Sequence, residues 1–199
     1  VRHGAVDAAH DGRFLGSTDV SLSASGRAAA EALAPRLAAT DWDRCLSSPL
    51  ARARETAALA LPKQRVDIEP DLREVDFGRW ETKTFEEIQA DDPARVDAWA
   101  RFDPAFSFPE GEALADWLAR LNRLAERLAA DEAERIVAVT HGGVIQGLIC
   151  RFLGLSAEQY VRFKAERGSL TRLELDGSSG RLIGLNDTAH LQGVVAGKG

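Results

Sequence analysis

Four consecutive apolar residues, Ile136 to Val139, run directly into Thr140-His141-Gly142-Gly143, and an almost wholly apolar stretch follows. Nothing else in the 199 residues constrains the fold as strongly. A run without polar alternation fits a strand covered on both faces, the condition of a strand inside a parallel sheet. Parallel strands need crossover connections, usually helices. Val144, Ile145, Leu148, Ile149, Phe152 and Leu153 supply one here, largely buried and ended by Gly154.

The rest of the chain repeats the alternation of helix and strand. Ser23 is placed to cap a helix through about Ala39, with Pro35 set to kink it. Arg44 to Ser48 reads as a short strand, and Pro49 fits the first turn of a helix to about Leu61. Thr84 to Ala100 has helical spacing, interrupted at Pro93. From Glu112 onward, Leu114, Trp117, Leu118, Leu121, Leu124, Ala125 and Leu128 follow the 3.6-residue period. SLTRLEL and RLIGL alternate around Asp176-Gly177, which predicts an edge hairpin. No repeat or linker divides the chain, so one α/β layered domain with a mostly parallel core is expected over residues 1–199. The Gly-rich end, 193–199, reads as a frayed, flexible tail.

Composition narrows the function. Hydrophobic residues make up 45% and charged residues 28%, an ordinary balance for a globular domain with a substantial core. The net charge of -6 argues against a nucleic-acid partner, so an anionic ligand needs a local basic pocket. The 21 Arg against 4 Lys suit bidentate phosphate recognition, although genomic base composition accounts for most of that ratio. Cys45 and Cys150 are too few and too distant for a disulfide framework or a zinc knuckle. With no run of 18 apolar residues and no signal peptide, a reducing cytoplasm is expected, with no membrane partner. A strand delivering Arg2 and His3 needs residues before Val1, so a short native segment is expected ahead of the given sequence.

In a parallel α/β sheet, ligands bind beyond the carboxyl ends of the strands. Three such ends carry suggestive residues: His3 after Arg2, Ser47-Ser48 with Arg52 one turn into the next helix, and His141 before Gly142-Gly143. The last opens a helix whose free amides attract anions. Two histidines and two arginines thus converge on one rim, a set suited to phosphate. Singly, each has a plainer reading: a strand-end histidine is commonly structural, and Arg52 or Arg54 could pair with Glu55 on a solvated face. His10 and His190 have no supporting pattern and are read as non-catalytic. A nucleophilic imidazole among cations makes sense against an anionic electrophile.

VRHG, GRFLGSTDVSLSASG, SSPLARARETA, LREVDFGRWE, PEGEAL and VTHGGVIQGL, in this order, resemble the histidine phosphatase (phosphoglycerate mutase-like) superfamily. The similarity runs from residue 1 to NDTAHL, and it is closest to the α-ribazole phosphatase and broad phosphatase branch. The resemblance implies a three-layer α/β/α sandwich, with about 101–111 a short insertion near the active site. It implies that His3 becomes phosphorylated, that Arg2, Arg52 and His141 hold the phosphate, and that Glu74 donates a proton. Gly16 and Ser17 match a substrate-contacting loop, and Gly142 joins them as a substrate-binding position.

Phosphoryl transfer calls for in-line attack and dense positive charge, which Arg2, Arg52 and an imidazolium His141 would supply without a metal or other cofactor. Glu74 would protonate the leaving oxygen and then deprotonate water. It could equally pair with Arg73 or Arg79 at the surface, with Asp76 as a competing carboxylate. The sequence departs from the family pattern at Ala5, Ala9, Thr82 and Ala113, where relatives often carry Glu, Asn, Gly and Ser. The expected activity is metal-independent hydrolysis of a small phosphomonoester. The alternatives are a mutase-type phosphoryl transfer and a non-catalytic phospho-ligand binder on the same fold. Phe102, Phe106, Phe108 and Pro109 could cap an apolar leaving group or simply pack the helical layer. The edge hairpin could support a homodimer.

Overall fold

The computed structural model describes residues 1–192, so the tail at 193–199 lies outside the described residues. Its centre is a parallel sheet in which β1 (Arg44–Ser47) lies between β2 (Asp67–Ile68) and β3 (Ile136–Val139). Beyond β3, residues 1–3 extend the sheet: Thr140 donates to the Val1 carbonyl at 2.8 Å, and His3 donates to the Thr140 carbonyl at 2.9 Å. On their other side, Arg2 donates to the Ser169 carbonyl at 3.0 Å and Gly168 to the His3 carbonyl at 2.9 Å. Ser169 leads into the antiparallel hairpin β4 (Leu170–Asp176) and β5 (Ser179–Asp187), turned by Gly177 as the sequence predicts. Residues 1–3 therefore join a parallel half to an antiparallel one.

Alternation along the strands divides the core between two helical layers. Cys45, Val137 and Val139 pack with Leu33, Leu37, Ala53 and Ala57 from α1 (Ala24–Leu37) and α2 (Ala51–Ala60). Leu46, Ile136 and Ala138 face the other way, toward α5 (Leu114–Ala129) and α6 (Gly142–Leu153). The apolar run at 136–139 is thus covered on both faces, and the expected three layers are present. A side layer of α3 (Phe85–Asp91) and α4 (Pro93–Ala100) breaks at Pro93, as its sequence requires.

Local chemistry sets most boundaries. The Ser23 hydroxyl accepts from the Gly26 amide at 3.0 Å and caps α1, with Pro35 in its last turns. Pro49 does not begin α2. Leu50 is its extended N-cap, and the Ser48 hydroxyl accepts from the Leu50 amide at 3.3 Å, which holds the chain out of helical geometry for two residues beyond Ser48. A Cβ at Gly4 would lie 2.6 Å from the Gly26 carbonyl oxygen, and one at Gly26 would lie 2.0 Å from that of Ala5. Two facing glycines let the start of α1 press against the chain just after His3.

Candidate active site

Parallel register aligns the three strand ends. Arg2 bridges Thr140, and Ser47 pairs with Val139, so His3, Ser48 and His141 emerge side by side. The His3 and His141 rings lie 5.1 Å apart, centre to centre. His141 Nε2 is 2.7 Å from the Ser48 hydroxyl.

His3 Nδ1 lies 2.7 Å from the Gly4 carbonyl oxygen. A carbonyl only accepts, so Nδ1 carries the proton and Nε2 holds the lone pair. Burial, reinforced by the Arg52 and Arg2 guanidiniums, holds this imidazole well below its usual value near 6.5. The geometry and burial favour a neutral imidazole of one tautomer. Burial, followed by the influence of His3, Arg52 and Arg2, depresses His141 in the same way. Without an anion, a third positive charge in this buried group is disfavoured.

Both arginines are anchored by carbonyls. Arg52 is fully buried and donates to the Thr18 carbonyl at 2.8 Å and the Gly16 carbonyl at 2.7 Å. Arg2 donates to the Ala165 carbonyl at 2.5 Å, and its guanidinium lies over Gly142, where a Cβ would stand 3.3 Å from Cζ. The buried Arg2 Nε, Arg52 Nε and His141 Nδ1 atoms have no hydrogen-bond partner. Buried polar groups in native proteins are nearly always paired, so two guanidinium donors and a ring nitrogen left together form a cradle suited to an anion.

Glu74 is 8% exposed, which excludes the surface pairing with Arg73 or Arg79. Its carboxylate accepts from the Gly143 amide at 3.0 Å and the Val75 amide at 3.2 Å. A Cβ at Gly143 would meet that carboxylate at 2.7 Å, so the second glycine of the motif makes room for the acid. The competing Asp76 instead accepts from the Ser17 hydroxyl and the Gly78 amide, both at 2.9 Å. Gly16 and Ser17 rest over Arg52 with their amides turned to the Glu81 carboxylate, at 3.1 and 2.8 Å.

Two supports escaped the sequence reading. Glu81 also binds the Thr18 hydroxyl and the Phe77 amide, which fixes the 16–18 loop. Arg120, 1% exposed, forms a 2.8 Å ion pair with Glu112 and donates to the carbonyls of Asp71, Arg73 and Glu74. It holds the segment that delivers the acid. The helical period foretells a buried face at position 120, but an arginine there gives no hint of carbonyl partners some 50 positions away.

Beyond Glu74 and Gly143 the site opens into a cavity of about 200 Å³ walled by Phe77, Trp99, Phe108, Trp117 and Tyr160. Of the 102–109 aromatics, Phe108 packs edge-on to Phe77 and Phe106, as the packing reading expects, and it also lines this space. Among the described residues no group of three or more His, Cys, Asp or Glu side chains is placed to hold a metal ion. No helix is long and apolar enough to cross a membrane, again among the described residues.

Comparisons with known proteins agree with this geometry. The family model of the histidine phosphatase superfamily (branch 1) matches residues 1–188. The adenosylcobalamin/alpha-ribazole phosphatase of Escherichia coli (strain K12) is 30% identical over 95% of each chain. A putative alpha-ribazole-5'-P phosphatase structure from the same species superposes with a TM-score of 0.86, at 30% identity over 94% of each chain. A phosphoserine phosphatase from Entamoeba histolytica, solved as a histidine-to-alanine mutant with phosphoserine, gives a TM-score of 0.84 at 27% identity over 96% of each chain. The phosphoglycerate mutase-like fold is shared with these neighbours.

Proposed function

Because the chain belongs to the histidine phosphatase superfamily and is a phosphoric monoester hydrolase, we propose that it cleaves a small phosphomonoester through a phosphohistidine on His3. The observation that carries this reading is the favoured His3 tautomer beside two buried guanidinium donors and a ring nitrogen without partners. The phosphoryl group sits among Arg2, Arg52 and His141, and the His3 Nε2 lone pair attacks phosphorus in line with the ester oxygen. As the P–O bond breaks, Glu74 gives its proton to the leaving alkoxide. The Gly4 carbonyl holds the Nδ1 proton and steadies the positive charge that the ring gains. Water then attacks phosphorus, Glu74 takes the water's proton, and the P–N bond breaks to release phosphate and restore His3.

The guanidiniums of Arg2 and Arg52 supply the countercharge and repel a divalent cation, so no metal takes part. His141 enters neutral, and the arriving phosphate dianion favours its protonation, which recovers the imidazolium expected from sequence. Brief incubation with a turned-over ester gives an acid-labile, base-stable adduct on His3. Turnover survives exhaustive chelation with EDTA. Full turnover by a His3→Ala protein overturns the phosphohistidine, and activity lost to EDTA and restored by a divalent ion overturns the metal-free reading.

A further inference from the structure

Resting on this phosphatase reading, we propose that Arg167 is a third guanidinium of the phosphate cradle, held by Asp11 in the unliganded protein and transferred to the phosphoryl group when the ester arrives. Placement comes first. The Ala165 carbonyl accepts from the Arg2 guanidinium at 2.5 Å, the Gly168 amide donates to the His3 carbonyl at 2.9 Å, and the Arg2 amide donates to the Ser169 carbonyl at 3.0 Å. Residues 165–169 therefore run along the strand end that bears the nucleophile, with Arg167 in their middle. Its guanidinium meets the Asp11 carboxylate, 156 positions away, at 2.5 Å. Asp11 closes the short turn Ala8–His10 on the loop that leaves His3, so the pair links the nucleophile's strand to the loop that follows it. The charge of Arg167 is felt where phosphate would sit. Burial is the main influence lowering the basicity of His3, Arg2 and Arg52, and the Arg167 guanidinium adds to it at all three.

The pairing with Asp11 is of a kind that exchanges. It uses one of the five N–H donors of the guanidinium, and Asp11 is the one side chain that Arg167 engages among the described residues. The Asp11 side chain is 62% exposed and that of Arg167 27%. An ion pair this open to water is held weakly. A phosphate already fixed by two buried guanidiniums is the stronger acceptor, with a double charge against a single one. The loop itself explains why a donor must come from elsewhere. From Gly4 to Ala9 the one polar side chain is Asp7, an acceptor that takes the Ala9 amide at 2.8 Å. A phosphoryl oxygen on the His3 side of the cradle finds no donor side chain along this stretch, and Arg167 is the neighbouring cation that can turn to it. In the unliganded site, Asp11 offsets a third guanidinium beside Arg2 and Arg52.

Titration calorimetry of the intact protein with inorganic phosphate tests the exchange without relying on turnover. Arg167→Gln should weaken phosphate binding about 10-fold or more, the loss of one charge-assisted hydrogen bond. Asp11→Asn removes the competitor and should tighten binding about 3- to 10-fold. In an Arg167→Gln background, Asp11→Asn should then move the affinity by less than about 2-fold. A gain from Asp11→Asn that persists in full without Arg167 means that Asp11 acts by its charge alone, and overturns the exchange. Unchanged phosphate affinity in Arg167→Gln protein that is folded by circular dichroism overturns it too. Turnover locates the contact: ethyl phosphate and phosphoserine should lose kcat/KM by the same factor in Arg167→Gln. A loss confined to phosphoserine puts Arg167 on the leaving group's carboxylate and overturns the phosphoryl assignment. Phosphate binding that follows the expected pattern, with no turnover of any ester and no adduct on His3, keeps the Arg167 site and defeats the phosphatase reading alone.

Discussion

In the phosphate cradle, His3, Ser48 and His141 hang from neighbouring strand ends whose backbone bonds set their positions to within a hydrogen bond's tolerance. In the adjoining cavity, rings from two loops, α4, α5 and a short 3-10 turn meet edge to face or tilted, with Phe77 and Phe108 centred 5.0 Å apart and Trp117 and Tyr160 5.7 Å apart. The first region is polar, directional and dependent on the sheet. The second is apolar, non-directional and dependent on side-chain volume. Charge that must meet a transition state needs fixed dipoles, whereas an alcohol that only has to be accommodated needs shape. The two regions touch at Glu74 and Gly143.

That contrast can be broken by substitution. Arg2→Ala strikes the cradle, and lowers both kcat and kcat/KM on the order of 100-fold or more, because the guanidinium contact strengthens as charge spreads over the transferring oxygens. Arg2→Lys recovers only part, since a point charge lacks the bidentate fork. A raised KM with unchanged kcat would pass the transition-state role to Arg52 and His141.

Phe108→Ala strikes the cavity wall and shows up chiefly in stability. Urea denaturation should register a loss of about 3–5 kcal/mol for a buried phenylalanine, while phosphoenzyme still forms from ethyl phosphate. A cradle that failed with Phe108 would mean the two regions are not separable.

pH sharpens the comparison, because His3 and His141, the histidines held well below their usual value, lie in the cradle, while the lowered His190 lies in neither region. Below about pH 6.5 the unfolded chain takes up protons that buried His3 and His141 resist, so stability falls as pH drops through that window. Each contributes a slope approaching about 1.4 kcal/mol per pH unit. Urea titrations between pH 7.5 and 5 should show a shallower decline in His141→Asn than in the wild type. An identical decline would place the protons elsewhere.

The smallest effect lies at the rim. Thr82 stands at φ 63°, a left-handed conformation costly for a β-branched residue, beside the Glu81 that fixes the 16–18 loop. Thr82→Gly should stabilise the protein by about 1 kcal/mol in the same urea assay.

The cradle was far more legible in the sequence than the cavity. Arg52 and His141 each follow a strand end readable from local pattern, while His3, preceded only by Val1 and Arg2, was singled out by the family resemblance. The apolar run at 136–139 and the period of α5 were readable for the same reason: burial on a regular element imposes a repeat. Residue type and spacing alone left Glu74 and Asp76 as competing carboxylates; the family resemblance singled out Glu74, and the Gly143 amide that binds it lies 69 positions away. The roles of Glu81 and Arg120 were hidden because their partners are mostly backbone atoms, which leave no residue-type signature. The depressed basicity of His141 in the unliganded site was hidden for a related reason. Counting charges along a sequence does not reveal how completely they will be withdrawn from water.

The glycine contact beneath the nucleophile restricts how a lineage carrying this fold can drift. Neither Gly4 nor Gly26 has room for a methyl group, because each faces a backbone carbonyl that cannot swing aside as a side chain would. A lone alanine at position 26 displaces the segment that carries His3, although position 26 is 22 residues from position 4 and holds no reactive atom. Compensation cannot come from the opposing position, where glycine is already the smallest choice. Position 26 is therefore inherited on the same terms as the nucleophile's own neighbour, and a descendant that loses its glycine should be found to have lost the reaction as well.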